Sequence, residues 1–434
     1  MSLRPDQNSK SPADSRPGSV AIVNLGCARN TVDSQNIIGR LEHKGHHILS
    51  PDRALTVIVN TCSFIEAARQ ESVDMILSLA DLKKQGKIKR IIVAGCLAQM
   101  YGSRLVKELP EVDAFVGVQA LRSGQAQALS LLTPPHYAYL KICESCYNHC
   151  SFCAIPSLKG RFVSRTREII EQDALRFEQR GVQELNIVGQ DITAYGMDLY
   201  RTHSLDVLLS GILAKARGIG WLRLLYAYPV HVTDRLIDLI AAEPRICKYI
   251  DVPLQHVNDR ILKAMNRGIN KAQTVALIEK LRRKIPGVFL RTTYITGFPG
   301  ETRKEFSELM SFVRDYPFER VGVFTFSREK GTPAFNLEGR IPAAEAGRRR
   351  DQLMELQQSI SRNFQEKMIG RTLRVLLDGR QEDSVDCYTG RSEYDAPDVD
   401  GVVNVRSQKV LKPGTFVDVR ISGATDYDLE GEVV

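Results

Sequence analysis

Cys146-Tyr147-Asn148-His149-Cys150-Ser151-Phe152-Cys153 places three thiols at C-x3-C-x2-C spacing, followed directly by Ala154-Ile155-Pro156. Three thiolates satisfy three irons of a cubane 4Fe-4S cluster and leave the fourth without a protein ligand, so the open iron can take a small molecule. An open iron serves chemistry rather than electron storage alone. Phe152, just before the third thiol, is expected to stand as an aromatic wall beside the cluster. The competing reading is zinc. Cys143 precedes Cys146 by three residues, so Cys143, Cys146, Cys150 and Cys153 also have the makings of a closed four-thiolate site. Against it, Cys143 ends the apolar run Tyr137-Ala-Tyr-Leu-Lys-Ile142, where a buried thiol is the ordinary outcome.

Working outward, the chain of 434 residues exceeds what one hydrophobic core usually serves, and two to three domains are expected. No apolar run approaches a membrane span, and Met1 to Gly18 is polar, without a hydrophobic secretion segment. A cytoplasmic, membrane-free protein is expected, with residues 1–18 as a disordered tail. In a reducing compartment disulfides are rare, so nine cysteines point to metal. The net charge of +8 is mild for this length and singles out no anionic partner.

Ser19-Val-Ala-Ile-Val-Asn-Leu25 is of strand type and ends at Gly26-Cys27, after which Asn30 and Asp33 open a helical pattern. The order recurs at Leu55 to Thr61, ended by Cys62, and at Arg90 to Gly95, ended by Cys96. Alternating strands and helices argue a parallel sheet whose carboxyl ends share one edge. Cys27, Cys62 and Cys96 are therefore predicted to converge as a second three-thiol site. Unrelated structural cysteines would fall inside the strands instead.

From Tyr137 the alternation continues through six units, with strands predicted near 137–142, 184–189, 221–228, 249–254, 289–296 and 320–326. Six parallel units suit a partial barrel with its site at the carboxyl ends of the strands. The cysteine loop follows the first strand. Gly189-Gln190-Asp191, Pro253-Leu-Gln255-His256 and Thr296-Gly-Phe-Pro-Gly300-Glu301-Thr302 end three others, and each is a candidate contact for a bound nucleoside. Gly297 and Gly300 permit close backbone approach, and Glu301-Thr302 suits a helix start whose amides receive a polar or anionic group. An ordinary strand-to-helix turn reads the same way.

The triplet with its aromatic residue resembles the radical S-adenosylmethionine superfamily. Asn60-Thr-Cys62-Ser-Phe-Ile65, Ala94-Gly-Cys96-Leu-Ala-Gln99, Cys150-Ser-Phe-Cys153-Ala-Ile-Pro156 and Gly297-Phe-Pro-Gly-Glu-Thr302 are similar to its methylthiotransferase family, over residues 20–434. Gly189-Gln-Asp191 with Tyr195-Gly196, Tyr226-Ala-Tyr-Pro229 and Pro253-Leu-Gln-His256 look closest to the branch that modifies a ribosomal protein. The chain departs from the family pattern at Cys143-Glu144-Ser145, where Ser-Glu-Gly is usual. The resemblance implies two 4Fe-4S clusters, on Cys146, Cys150 and Cys153 and on Cys27, Cys62 and Cys96, with S-adenosylmethionine bound at the former. Phe152, Gln190, Gly297 and Gly300 become candidate cofactor contacts. Cleavage of the sulfonium would give a deoxyadenosyl radical that takes hydrogen from an unactivated carbon. Sulfur carried at the second cluster would then capture the carbon radical, and a second S-adenosylmethionine would supply the methyl group. An external electron donor and a sulfur donor are implied. No general acid or base is expected beyond the cluster ligands.

After a long charged helix, Glu345 to Met368, the pattern changes at Gly370 to short alternating runs, Thr372–Leu377, Val402–Val405 and Thr415–Ile421. This predicts a small antiparallel β-barrel, similar to the TRAM domain. The expected α/β architecture is thus a tail (1–18), a parallel-sheet domain (19–135), a partial (β/α)6 radical-SAM barrel (136–365) and the small barrel (366–434). Residues 366–434 hold nine Lys/Arg against fourteen Asp/Glu, a net of −5, while the remainder carries +13. An acidic module repels RNA phosphates and attracts a basic protein. Asp395, Asp398 and Asp400, in the turn-rich stretch Glu393 to Asp400, are predicted to be exposed for that purpose. The leading expectation is methylthiolation of an aspartate β-carbon in a small-subunit ribosomal protein, the twelfth. Methylthiolation of a transfer-RNA adenosine and a non-catalytic iron-sulfur scaffold that binds RNA are the alternatives.

Overall fold

The computed structural model describes residues 18–63, 65–121, 127–382, 384 and 386–434, so the tail expected over residues 1–18 lies outside the described residues except for Gly18. The chain divides into two compact units, Met1–Ser123 with Ala128–Leu132, and Gly124–Gln127 with Thr133–Val434.

In the first unit, β1 (Ser19–Asn24), β2 (His47–Ile48), β3 (Thr56–Thr61), β4 (Arg90–Gly95) and β5 (Ala114–Gly117) form one parallel sheet in the order β2-β1-β3-β4-β5. Successive strand residues are apolar because both faces are covered. Val57, Val59, Ile91 and Val93 pack with Ile76, Leu79 and Leu105 of the helices Glu66–Lys84 and Cys96–Glu108. Ile58 and Ala94 point the other way, toward Ile37 and Leu41 of the helix Ala28–His43. The sequence reading foresaw three of these strands. His47–Ile48 and Ala114–Gly117 were missed because they are too short for a periodic signal.

The second unit begins with β6 (Tyr137–Lys141). A two-stranded piece of β7 (Cys143–Glu144) and β8 (Val163–Ser164) follows, and then β9 (Glu184–Val188), β10 (Trp221–Leu224), β11 (Ile246–Asp251), β12 (Phe289–Thr296) and β13 (Arg320–Thr325). β6 and β9–β13 pair in parallel and in chain order, leaving β6 and β13 as open edges. Leu185 and Ile187 are buried, as are Ile170, Ala174 and Phe177 of the helix Arg167–Gln179 and Leu208, Leu209 and Ile212 of Leu205–Lys215. The alternate positions Glu184 and Asn186 are polar and equally buried. The third strand is shorter than expected, because Tyr226 turns into the left-handed region at φ 68° and ends it.

The same unit closes with β14 (Thr372–Arg380), β15 (Cys387–Ser392), β16 (Val403–Arg406), β17 (Phe416–Ala424) and β18 (Leu429–Val433), a closed five-stranded barrel. Its pairings are antiparallel except for β16 with β18, which is parallel. β15 and β18 went unforeseen because Cys387-Tyr-Thr-Gly-Arg-Ser392 and Leu429-Glu-Gly-Glu-Val433 carry too few apolar residues for an alternating run.

This small barrel packs against the amino ends of the large one. Glu184 of β9 pairs with Arg223 at 2.7 Å and with Arg391 at 2.5 Å, and Arg391 also pairs with Asp378 at 2.8 Å. Burial pushes the Glu184 carboxyl up, but Arg391 and Arg223 outweigh it and hold it below the usual range. Arg320 meets Asp395 at 2.8 Å, Tyr249 donates to Asp400 at 2.7 Å, and Phe289 stacks on Tyr394 with ring centroids 4.0 Å apart. The expectation that Asp395, Asp398 and Asp400 are exposed is therefore corrected. The first and last are buried in ion pairs and hydrogen bonds, and only Asp398 is exposed, while still accepting from Tyr139 at 3.1 Å. A turn-rich stretch is exposed by default, but here it is the contact surface.

Candidate functional site

In the first unit the register sets the site. Asn24 lies level with Asn60 and Asn60 with Ala94, and Thr61 lies level with Gly95, so Cys27, Cys62 and Cys96 all follow at the same carboxyl edge of three adjacent strands. Gly26 and Gly95 hold φ values of 93° and 98°. A Cβ on Gly26 would stand 2.8 Å from that of Cys62, and one on Gly95 2.6 Å from the Thr61 carbonyl oxygen, so only glycine lets these turns close together. Asn30 donates to the carbonyls of Leu25 and Thr61, and Asn60 to the Asn30 carbonyl and the Ser34 hydroxyl, tying the Cys27 turn to the Cys62 turn. Arg29 Nε donates to Cys27 Sγ at 3.3 Å.

In the second unit the loop Cys146–Cys153 follows β6 at the carboxyl end of the barrel. Asn148 donates to Cys146 Sγ from its backbone at 3.4 Å, and its side chain donates to Asp191 at 2.7 Å. Asp191 lies three residues past the end of β9 and also pairs with His231 at 2.9 Å. Burial, then the Asp191 carboxylate, raises the Cys146 thiol to about 11, so a metal must displace its proton on binding. Asn266 donates to the His149 carbonyl at 2.7 Å and Ser151 N to the Met265 carbonyl at 2.9 Å, while Arg267 Nη1 donates to Cys150 Sγ at 3.3 Å. The turn Met265–Arg267 was not foreseen. An asparagine at φ 54° just past the helix Asp259–Ala264, followed by arginine and glycine, was the available signal.

Cys143 is not part of this loop. It is fully buried, donates to the Asp191 carbonyl at 3.6 Å, and fills the space where Gly189 lacks a side chain. Burial pushes its thiol well above the ordinary value. Among the described residues no three ligating side chains converge on a position for a single ion. A cubane does not require such a point, because each of its thiolates binds a different iron. Ser145 carries φ 63° where the family pattern has glycine, and its hydroxyl donates to the Gly160 carbonyl at 2.5 Å.

Gln190 stands beside Asp191, and its Oε1 is buried without a hydrogen-bond partner. Phe152 packs with Ile261, Met265 and Phe298 in an apolar cluster, so it joins the cysteine loop to the turn after β12. The glycines of that turn are corrected. A Cβ on Gly297 would stand 2.3 Å from that of Ala346, in the helix Ala343–Glu366, so this residue is small to admit the helix. The Gly297 and Phe298 amides donate to Glu301, and the Gly300 amide to the Gly339 carbonyl. Thr302 and Glu305 cap the following helix. Those amides are already used within the turn.

Family models match the chain over three stretches: the uncharacterized protein family UPF0004 over residues 19–117, the radical SAM superfamily over 140–313 and the TRAM domain over 369–434. Of solved structures, the radical S-adenosylmethionine methyltransferase TsrM from Kitasatospora setae shares the fold, with TM-score 0.53 at 13% identity over 85% of this chain and 79% of its own. Barrel and loop thus define a radical S-adenosylmethionine enzyme. Proteins named ribosomal protein uS12 methylthiotransferase RimO are similar throughout. That of Pelotomaculum thermopropionicum is 44% identical over 96% of this chain and 99% of its own, and that of Caldanaerobacter subterraneus is 45% identical over 95% and 99%. The chain belongs to the RimO family of methylthiotransferases.

Proposed function

We propose that this enzyme methylthiolates the β-carbon of an aspartate in ribosomal protein uS12, in the cytoplasm. Cys146, Cys150 and Cys153 hold one 4Fe-4S cluster and Cys27, Cys62 and Cys96 a second, and two S-adenosylmethionine molecules are consumed per turnover. The observation that carries this reading is the pair of three-thiol groups at strand carboxyl ends, each one ligand short of closing a cubane. Relatives named for action on uS12 across nearly the whole chain support the substrate.

The bound cluster and S-adenosylmethionine supply the one-electron chemistry that no side chain can. The chain's own residues position it. Asp191 holds Asn148, and through it the Cys146 sulfur, while the Met265–Arg267 turn fixes the middle of the loop. Gln190 Oε1 is an unused acceptor suited to a donor group of S-adenosylmethionine. Sulfur built into product must be replaced and the electron must be supplied, so a sulfur donor and an external reductant complete the system. Functionally the chain divides at residues 19–135, 136–365 and 366–434.

Anaerobically reconstituted protein is expected to bind about eight irons. With reductant, sulfide and S-adenosylmethionine it is expected to add the mass of one methylthio group to uS12 and none to transfer RNA. The same mass gain on transfer RNA, with uS12 unchanged, would overturn the substrate.

A further inference from the structure

We propose that Arg267 supplies the positive charge that makes the barrel cluster reducible. The inference rests on the reading that Cys146, Cys150 and Cys153 hold that cluster.

Arg267 is nine-tenths buried, yet among the described residues no carboxylate pairs with it. Its Nη1 donates to Cys150 Sγ at 3.3 Å and its Nη2 to the Pro253 carbonyl. Its guanidinium lies 4.2 Å from the ring centre of Tyr228, and its Nε has no partner. A buried cation without a counter-ion is strongly disfavoured, and a tyrosine face offsets only part of that cost. The missing anion stands where the guanidinium points: a cubane carrying three thiolates is negative, and reduction makes it more so by one charge.

The donors to Cys146 Sγ are neutral. Cys146 receives its hydrogen bonds from the Asn148 backbone and side-chain amides, and the nearest acidic group, Asp191, opposes an added electron. Arg267 is a charged donor to one of the three thiols, Cys150. Net charge and hydrogen bonds to sulfur set the potential of such clusters, and a fixed, buried cation acts more strongly than an exposed one. The turn that carries it is held to the loop by the Asn266, Met265 and Ala264 hydrogen bonds, so the distance is fixed rather than left to a surface side chain.

The test uses full-length protein with Cys27, Cys62 and Cys96 changed to Ala, so that one cluster reports. After anaerobic reconstitution the reduced cluster is followed by electron paramagnetic resonance in a potentiometric titration with dithionite. At the parent midpoint, Arg267→Gln is expected to lower the reduced-to-oxidised ratio at least about tenfold, which is 59 mV for a one-electron couple. Arg267→Lys, which keeps the charge, is expected to stay within about threefold of the parent. A Gln variant with full iron and an unchanged ratio would overturn the inference. So would a Lys variant that falls as far as Gln, since the fork rather than the charge would then matter. If the Gln variant holds no iron, the Lys result decides alone. A triple-Ala parent without iron would instead overturn the site reading, and this inference with it.

Discussion

At the amino ends of the barrel strands, the side chains of Glu184, Arg223, Arg320 and Asp400 are buried and that of Arg291 partly so, and each meets an opposite charge. At the carboxyl ends, Arg267 is buried without one, Gln190 Oε1 and His256 Nε2 lack partners, and Tyr226 and Gln255 hold φ values of 68° and 74°. Left-handed backbone on a bulky residue costs about 1 kcal/mol or more. The amino end is held together by ion pairs, as a structural joint should be. The other keeps a buried cation without a counter-charge, which is where a bound group is expected to supply what is missing.

The first way to break this comparison is to disturb the ion-paired end. Asp395→Lys puts a second cation beside buried Arg320 and is expected to cost about 3–5 kcal/mol of stability, read as a lower denaturation midpoint. As a purely exposed charge, Asp395 would give a variant as stable as the parent that merely binds a basic substrate less well. Intact stability would show that the small barrel is tethered rather than built in.

The second sharpens the comparison by pH. Burial lowers the His256 pKa to about 4, so the folded state holds it neutral where the unfolded chain takes up a proton. Its contribution is complete above the ordinary histidine value and is lost as pH falls from about 6.5 toward 4, by roughly 3 kcal/mol. Glu184 and Asp378 have depressed values, and their contribution, present above the ordinary carboxylate range, fades only at lower pH. Denaturation midpoints at pH 7 and pH 5 should therefore differ in the parent and differ less in His256→Phe. An equal slope in both would remove His256 from the account.

The smallest expected effect is none. Cys143→Ser should leave the iron content and visible absorption of reconstituted protein unchanged, because Cys143 faces Gly189 and the Asp191 carbonyl. Loss of a bound metal would restore the four-thiolate alternative.

What the sequence made legible were elements whose cause is local. Cys27, Cys62 and Cys96 each follow an apolar strand, and a parallel register then sets them level. The positions of Arg267, Ala346 and Asp395 depend on partners far along the chain. Gly297 reads as a ligand turn until the helix fifty residues on passes over it, and Glu393 to Asp400 reads as an exposed loop until Arg320 and Tyr249 meet it. Arg267 is marked in the sequence only by the turn residues Asn266 and Gly268 on either side, which do not give its role. Its meaning comes from burial without a counter-charge, which spacing does not encode.

Reductive cleavage of S-adenosylmethionine to deoxyadenosine, measured side by side in Cys150→Ala and Cys62→Ala, tests the division of labour most directly. Cleavage is expected to vanish in the first, and to persist in the second without methylthiolation of uS12. If Cys150→Ala still cleaved, or if Cys62→Ala lost cleavage while holding its barrel cluster, the carboxyl end of the barrel would not be the seat of that chemistry.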